Sequence, residues 1–204
     1  MDRFAVLDFE TTGLSAGDDR IIEVGVAIIA EGKVVDTFSQ LMSPGRRLPS
    51  FITSLTGITD AMVRDQPPPE AVMPRLRAFL GDLPCVAHNA GFDQRFFTSE
   101  MERADESHER TFLCSLLLSR RLVAGATSHR LGALAEFLSL EPPAAFHAHR
   151  ALDDVLLTCS LWQHLLALVQ RQLGGRPPTI HEVQQLMRHS KAKVPQLLQS
   201  WAKG

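Results

Sequence analysis

Three β-rich runs follow one another within the first 42 residues, and this opening limits the architectures open to the chain more than any other feature. Residues 4–9 (FAVLDF), 21–30 (IIEVGVAIIA) and 34–42 (VVDTFSQLM) are short, apolar and rich in β-branched or aromatic side chains. Glu31-Gly32-Lys33 joins the last two, which suits an antiparallel hairpin. After them the pattern changes. Residues 50–64 contain short helical turns around Thr56-Gly57, and residues 70–80 place apolar side chains at 72, 73, 76, 79 and 80, a helical spacing. Residues 84–88 (PCVAH) read as a fourth strand and 111–115 as a fifth. Helices are expected over 92–106 and 131–138, and His149 leads into a long one that ends near residue 172. A strand meander followed by alternating helices and strands predicts an α/β fold, a mixed sheet with helices on its faces.

With 204 residues, 45% hydrophobic and 22% charged, the chain has the makings of one well-packed domain and not of a disordered or fibrous protein. The alternation stops at Gly174-Gly175-Arg176-Pro177-Pro178. Thr179-Ile180-His181-Glu182 then has the form of a capping box, opening a short helix before another near Pro195. The expected organisation is a main domain over 1–174 and a helical appendage over 175–204. Charge divides at the same place. Residues 1–174 hold 16 Lys+Arg against 22 Asp+Glu, while residues 175–204 hold 5 against 1. An acidic body excludes a broad basic field for nucleic acid, so such binding has to be local, metal-assisted or helped by the basic tail. Apolar runs such as 116–118 are far shorter than the roughly 20 residues that span a bilayer, and Met1-Asp2-Arg3 does not open a secretory signal. The expected address is the cytoplasm, with no membrane partner. Cys85, Cys114 and Cys159 have neither zinc-site nor disulfide spacing and read as small core residues.

Acidic residues at the ends of elements carry the chemistry. Asp8 and Glu10 alternate along the first strand and therefore face one side where it ends, followed by Thr11-Thr12-Gly13. His88-Asn89-Ala90-Gly91-Phe92-Asp93 opens a helix after the fourth strand, and His149-Arg150-Ala151-Leu152-Asp153-Asp154 opens the long helix. Taken singly, each cluster also suits a polar cap or a solvated turn. Together, Asp8, Glu10, Asp93 and Asp154 can converge on one site of an α/β sheet. Oxygen-only ligands of this kind suit magnesium or manganese, and a pair of such ions can activate water against a phosphodiester.

The segments D-x-E-T-T-G (8–13), H-N-A-x-F-D (88–93) and H-x-A-x-x-D (149–154), in that order, resemble the three motifs of the DEDDh exonuclease superfamily. That superfamily includes the proofreading epsilon subunit of bacterial DNA polymerase III, ribonuclease T and oligoribonuclease. The resemblance covers roughly residues 3–168. It implies a ribonuclease-H-like fold with a five-stranded sheet, and hydrolysis of single strands from the 3′ end. By position, Asp8, Glu10 and Asp154 resemble direct metal ligands, Asp93 a fourth acid, and His149 the general base. An imidazole, with its ordinary pKa of about 6.5, suits proton acceptance at neutral pH. The sister subfamily that uses tyrosine is excluded, because the chain contains none. His147 lacks the family spacing to Asp154, and Asp153 reads as a solvated helix residue. Thr11, Leu14, Thr56 and Phe92 resemble substrate-side positions, although relatives often have histidine where Thr56 stands. Cys114-Ser115 falls where many relatives have Asp-Thr.

These readings predict a metal-dependent 3′-5′ exonuclease that uses two Mg2+ or Mn2+ ions to release nucleoside 5′-monophosphates from single-stranded DNA 3′ ends. The alternative within the class is a 3′-5′ exoribonuclease trimming RNA or short oligonucleotides. The alternative outside it is a non-catalytic nucleic-acid-binding or scaffold subunit, which the presence of all five residues disfavours. Nothing in the sequence identifies a polymerase or clamp partner or an oligomeric state. Residues 196–201 (QLLQSW) suit an ordinary amphipathic helix.

Overall fold

The structure, a computed structural model, describes residues 3–142 and 147–202. Met1 and Asp2, which entered the reading of the N-terminus, lie outside the described residues. β1 (Arg3–Thr11), β2 (Ile21–Ala30) and β3 (Lys33–Leu41) form an antiparallel meander. β4 (Cys85–Ala87) and β5 (Phe112–Cys114) add in parallel on the other side of β1. The sheet order is β3-β2-β1-β4-β5, so the central strand β1 is where the antiparallel and parallel halves meet. The fold is the mixed five-stranded, ribonuclease-H-like α/β arrangement that the sequence predicts, with helices at its C-terminal end. The β2–β3 loop is one residue tighter than expected: Lys33 already pairs with Ala30, leaving Glu31 and Gly32 at φ 51° and 75°. Two consecutive positive φ values are what a two-residue hairpin turn demands.

Strand alternation sorts the core into two layers. Phe4, Val6, Ala27 and Ile29 face α7 (Ala151–Gln172) and α5 (Ser115–Leu122), in one cluster with Trp162, Leu161 and Leu118. Ala5, Leu7, Phe9, Val24 and Val26 face the opposite way, toward α3 (Pro69–Leu80) and α4 (Gly91–Arg103), among Leu76, Phe96 and Phe97. α1 (Ser50–Thr56) and α2 (Asp60–Val63) cover Ile22. α6 (Leu131–Phe137) closes on α7. Parity then places Asp8, Glu10, Glu23 and Gly25 on the α7 side of the sheet.

α7 is 22 residues long and meets the length and composition of a membrane span, which the short apolar runs did not suggest. It serves as the central core helix: Trp162 meets Phe4 edge to face at 6.3 Å, and Leu161, Leu165 and Val169 are fully buried. After Gly175, α8 (Ile180–Arg188) begins with the expected capping box between Thr179 and Glu182. α8 and α9 (Val194–Ala202) bury Val183, Leu186, Val194 and Leu198 in the same cluster as Trp162. The basic segment therefore shares the main core. α5 is a helix the sequence reading did not identify. Cys85, Cys114 and Cys159 are free and buried, as expected.

Candidate active site

β4 has only three residues and pairs with β1 at Ala5 and Val6, so the flank of β1 beyond Val6 is open. The first turn of α4 fills that flank. Asp93 sits there, 2% exposed, and the Phe9 N–H donates to its Oδ1 at 3.3 Å. A carboxylate in the first turn of a helix is also favoured by the helix dipole. α7 approaches from the sheet face and brings Asp154 in its own first turn. The carboxylates at the end of β1 thus lie between two helix N-termini, a placement that favours negative charge.

The close approach of α7 depends on Gly25, the cross-strand partner of Asp8. A Cβ on Gly25 would fall 2.5 Å from Ala151 C and Leu152 N, which only glycine avoids. Glu23, the partner of Glu10 in the same ladder, is 2% exposed. It accepts from Arg150 Nη2 at 2.8 Å, from Arg150 Nε at 3.2 Å and from the Ala151 N–H at 3.1 Å. This clasp fixes the residues that follow His149. His149 lies just ahead of the helix at φ 63°, a left-handed conformation uncommon outside glycine, and its N–H donates to Asp154 Oδ2 at 3.0 Å. The imidazole is consequently exposed above the acids.

One ligand atom each from Glu10, His149 and Asp154 lies within 4.8 Å of the other two, a group able to hold a metal ion. Asp8 and Asp93 border it. Burial, then the charges of Asp154 and Glu23, pushes Asp8 up to about 8. Burial and four neighbouring acids push Glu10 up to about 9. Asp93 is also raised, by burial and by Asp8, and Asp154 by burial. Among the described residues none of these four carboxylates makes an ion pair. An oxygen-rich cluster that holds protons for want of positive charge fits hard divalent cations.

The substrate-side residues divide. Leu14 is 81% exposed on the loop after β1. That loop is fastened by Asp19, which accepts from Thr12 Oγ1 and the Ser15 N–H, and by Arg20, whose Nε donates to Glu100 at 2.8 Å. Phe92 is partly buried, with its ring tilted on Phe96 at 4.8 Å. Thr11 is buried and its hydroxyl donates to Gly13 O at 2.6 Å, so the side chain shapes the turn. Thr56 is also buried. Its hydroxyl donates to Ile52 O and accepts from the Ile58 N–H, so it ties the end of α1 to the turn that follows. Its neighbour Leu55 lines a cleft of about 1000 Å³ that His149 and Asp154 also line.

His147 is exposed and its N–H donates to Asp153, apart from the Glu10 cluster. Asp153 is partly buried and not simply solvated, because it takes that bond. Sequence reasoning missed Glu23, Gly25 and Arg150. A lone acid and a glycine inside IIEVGVAIIA were the available signal.

Residues 5–162 match the family model described as an exonuclease, RNase T. The chain is 37% identical over 194 residues to the PolC-type DNA polymerase III of Caldanaerobacter subterraneus subsp. tengcongensis, covering 95% of this chain and 13% of that protein. It is 33% identical over 198 residues to the 3′-5′ exonuclease DinG of Bacillus subtilis, covering 96% of this chain and 21% of that one. The chain thus spans about an eighth to a fifth of these relatives. Exonuclease X, solved in complex with 5′ overhanging duplex DNA, superposes with a TM-score of 0.70 at 29% identity, covering 90% of this chain and 99% of the other. A family match that takes in all three acidic motifs, with such identity along nearly the whole sequence, makes this chain a member of the RNase T exonuclease family, in its histidine-bearing DEDDh branch.

Proposed function

We propose that the chain is a 3′-5′ exonuclease that hydrolyses single-stranded DNA ends to nucleoside 5′-monophosphates, with two Mg2+ or Mn2+ ions and His149 as general base. The observation that carries the reading is the approach of Glu10, His149 and Asp154 within 4.8 Å at the end of β1, bordered by Asp8 and Asp93. Asp8, Glu10 and Asp154 would hold the ions, with Asp93 as the further acid. When bound, such ions lower the pKa of water and stabilise charge on the departing oxygen. The chain's own part is to place and move the proton. His149 accepts it from the attacking water as the new P–O bond forms. The bond to the 3′ oxygen of the preceding nucleotide then breaks, and that oxygen leaves with a proton from solvent. Leu14 and the outer face of Phe92 would flank the terminal base. The DNA bound to Exonuclease X favours DNA over RNA.

Oligonucleotides of DNA and RNA, labelled at either end, test the reading in magnesium, manganese and EDTA. Release of mononucleotides from 3′ ends of DNA is expected with either metal and not with EDTA. His149→Ala should slow turnover about 10²- to 10⁴-fold, and Asp8→Ala should abolish it while the protein stays folded. Faster cleavage of RNA would transfer the reading to an exoribonuclease. Full turnover by Asp8→Ala would overturn the metal assignment, and no cleavage at all would favour a non-catalytic binding subunit.

A further inference from the structure

The cleft that His149 and Asp154 line is not theirs alone. Arg120 of α5 lines it too, as do His129 and Arg130, which lead into α6. Asp154 is the single acid among its described lining residues. Its wall is built rather than loose. His88 is held at Nδ1 by Ser115 Oγ and at Nε2 by His129 O, both at 2.9 Å, and Ser119 Oγ meets His129 Nδ1 at 3.0 Å. The turn that carries Lys191, between α8 and α9, packs on α5, and burial, then the charges of Arg120 and Lys191, holds the His129 imidazole below its usual range.

Arg120, Arg130 and Lys191 are exposed, and among the described residues none forms an ion pair. Three cations thus surround His129 in the lining of the cleft, two of them acting on its ring and the third next to it in sequence, in a chain whose net charge is −2. Leu116 and Leu131 supply apolar surface on which bases can lie. At about 1000 Å³ the cleft reaches the top of the roughly 300–1,000 Å³ range of small-molecule sites, enough for more than a single nucleotide.

We infer that Arg120, Arg130 and Lys191 form a phosphate track for the strand upstream of the reacting 3′ end, with the C-terminal helices contributing Lys191. This rests on the exonuclease reading and adds to it a length preference: strands long enough to reach these three cations bind more tightly, by an amount that salt erodes. Neutralising phosphates of a single strand gives a log–log salt slope of about −0.7 per contact. Removing three contacts should reduce its magnitude by about 2.

The test compares Arg120→Ala/Arg130→Ala/Lys191→Ala with its parent, both also carrying Asp8→Ala so that the strand survives in magnesium. Anisotropy of a labelled twelve-nucleotide DNA strand is followed from low to high KCl. A triple variant at Lys33, Arg75 and Arg171, which lie outside the cleft, controls for net charge. Weaker binding with the slope reduced by about 2 is expected for the track variant, and an unchanged slope for the control. Equal slopes in parent and track variant overturn the track, as does failure of the parent to bind the strand. A loss of slope shared by the control also overturns it. Cleavage by the otherwise unaltered protein is assayed alongside. If it does not occur, the exonuclease reading falls; if it does and the slopes are equal, only the track falls.

Discussion

Glu23 places a carboxylate in the middle of a sheet, where an unpaired charge would be costly, and its four hydrogen bonds from Arg150 and Ala151 answer that cost. Nε and Nη2 of one guanidinium act together, a geometry a lysine ammonium cannot reproduce. Arg150→Lys should therefore lower kcat about 10- to 100-fold with little change in KM, because misplacing His149 and Asp154 by a fraction of their spacing disturbs the reacting geometry and not strand binding. Steady-state kinetics below the melting transition provide the check. A variant that melts earlier but keeps its kcat would reduce the pair to a structural role. The sequence shows Glu23 as an odd charge in an apolar strand. It does not show the partner, which lies 127 residues away. The left-handed turn at His149 is likewise hidden, since histidine signals such a conformation far more weakly than glycine would.

α8 and α9 are held by packing as well as by charge. Val183, Leu186, Val194 and Leu198 are buried, at about 1.5–3 kcal/mol for each side chain of this kind. Their sum is comparable with the roughly 5–15 kcal/mol that separates folded from unfolded domains. Removing residues 175–204 should abolish or severely weaken cooperative unfolding in urea, and an unaltered midpoint would show the segment to be independent. Glu182, bonded to Thr179 and to both terminal nitrogens of Arg176, has its carboxyl held down to about 2, chiefly by Arg176. A carboxyl depressed on folding stabilises above its ordinary pKa and ceases to do so as pH falls through the lowered one. Glu182→Gln should thus melt below the parent at pH 7, and the gap should close between about pH 4.5 and about pH 2. The capping box at this helix was legible because its two residues are three apart. α5 was not legible: its cap is the Cys114 sulfur, accepting from the Leu117 N–H, and its Leu116–Leu118 run continues the apolar character of β5.

Burial, then the neighbouring acids, pushes Asp8 up to about 8 and Glu10 up to about 9, whereas in an unfolded chain such carboxyls ionise at about 4. Over that interval the folded protein holds protons that the unfolded chain has released, so its stability falls as pH rises. Divalent ions bind the ionised acids and reverse the loss. The melting temperature in EDTA should decline from pH 6 to pH 9, and the rise on adding magnesium or manganese should grow over the same range. Asp8→Asn should flatten both trends, and a metal-induced rise independent of pH would contradict them. At this scale the sheet and its two helical layers were legible from strand order and helix spacing, because they depend on local pattern. The site was legible through its motifs, but the fastening of its two halves was not. That fastening joins an early strand to a late helix: Glu23 waits for Ala151 across 128 residues. At roughly 5–20 residues per second, a ribosome takes on the order of ten seconds to cover that distance. Throughout that time the emerging chain has Asp8 and Glu10 but neither His149 nor Asp154, so the cluster of Glu10, His149 and Asp154 cannot close until residue 154 has been made.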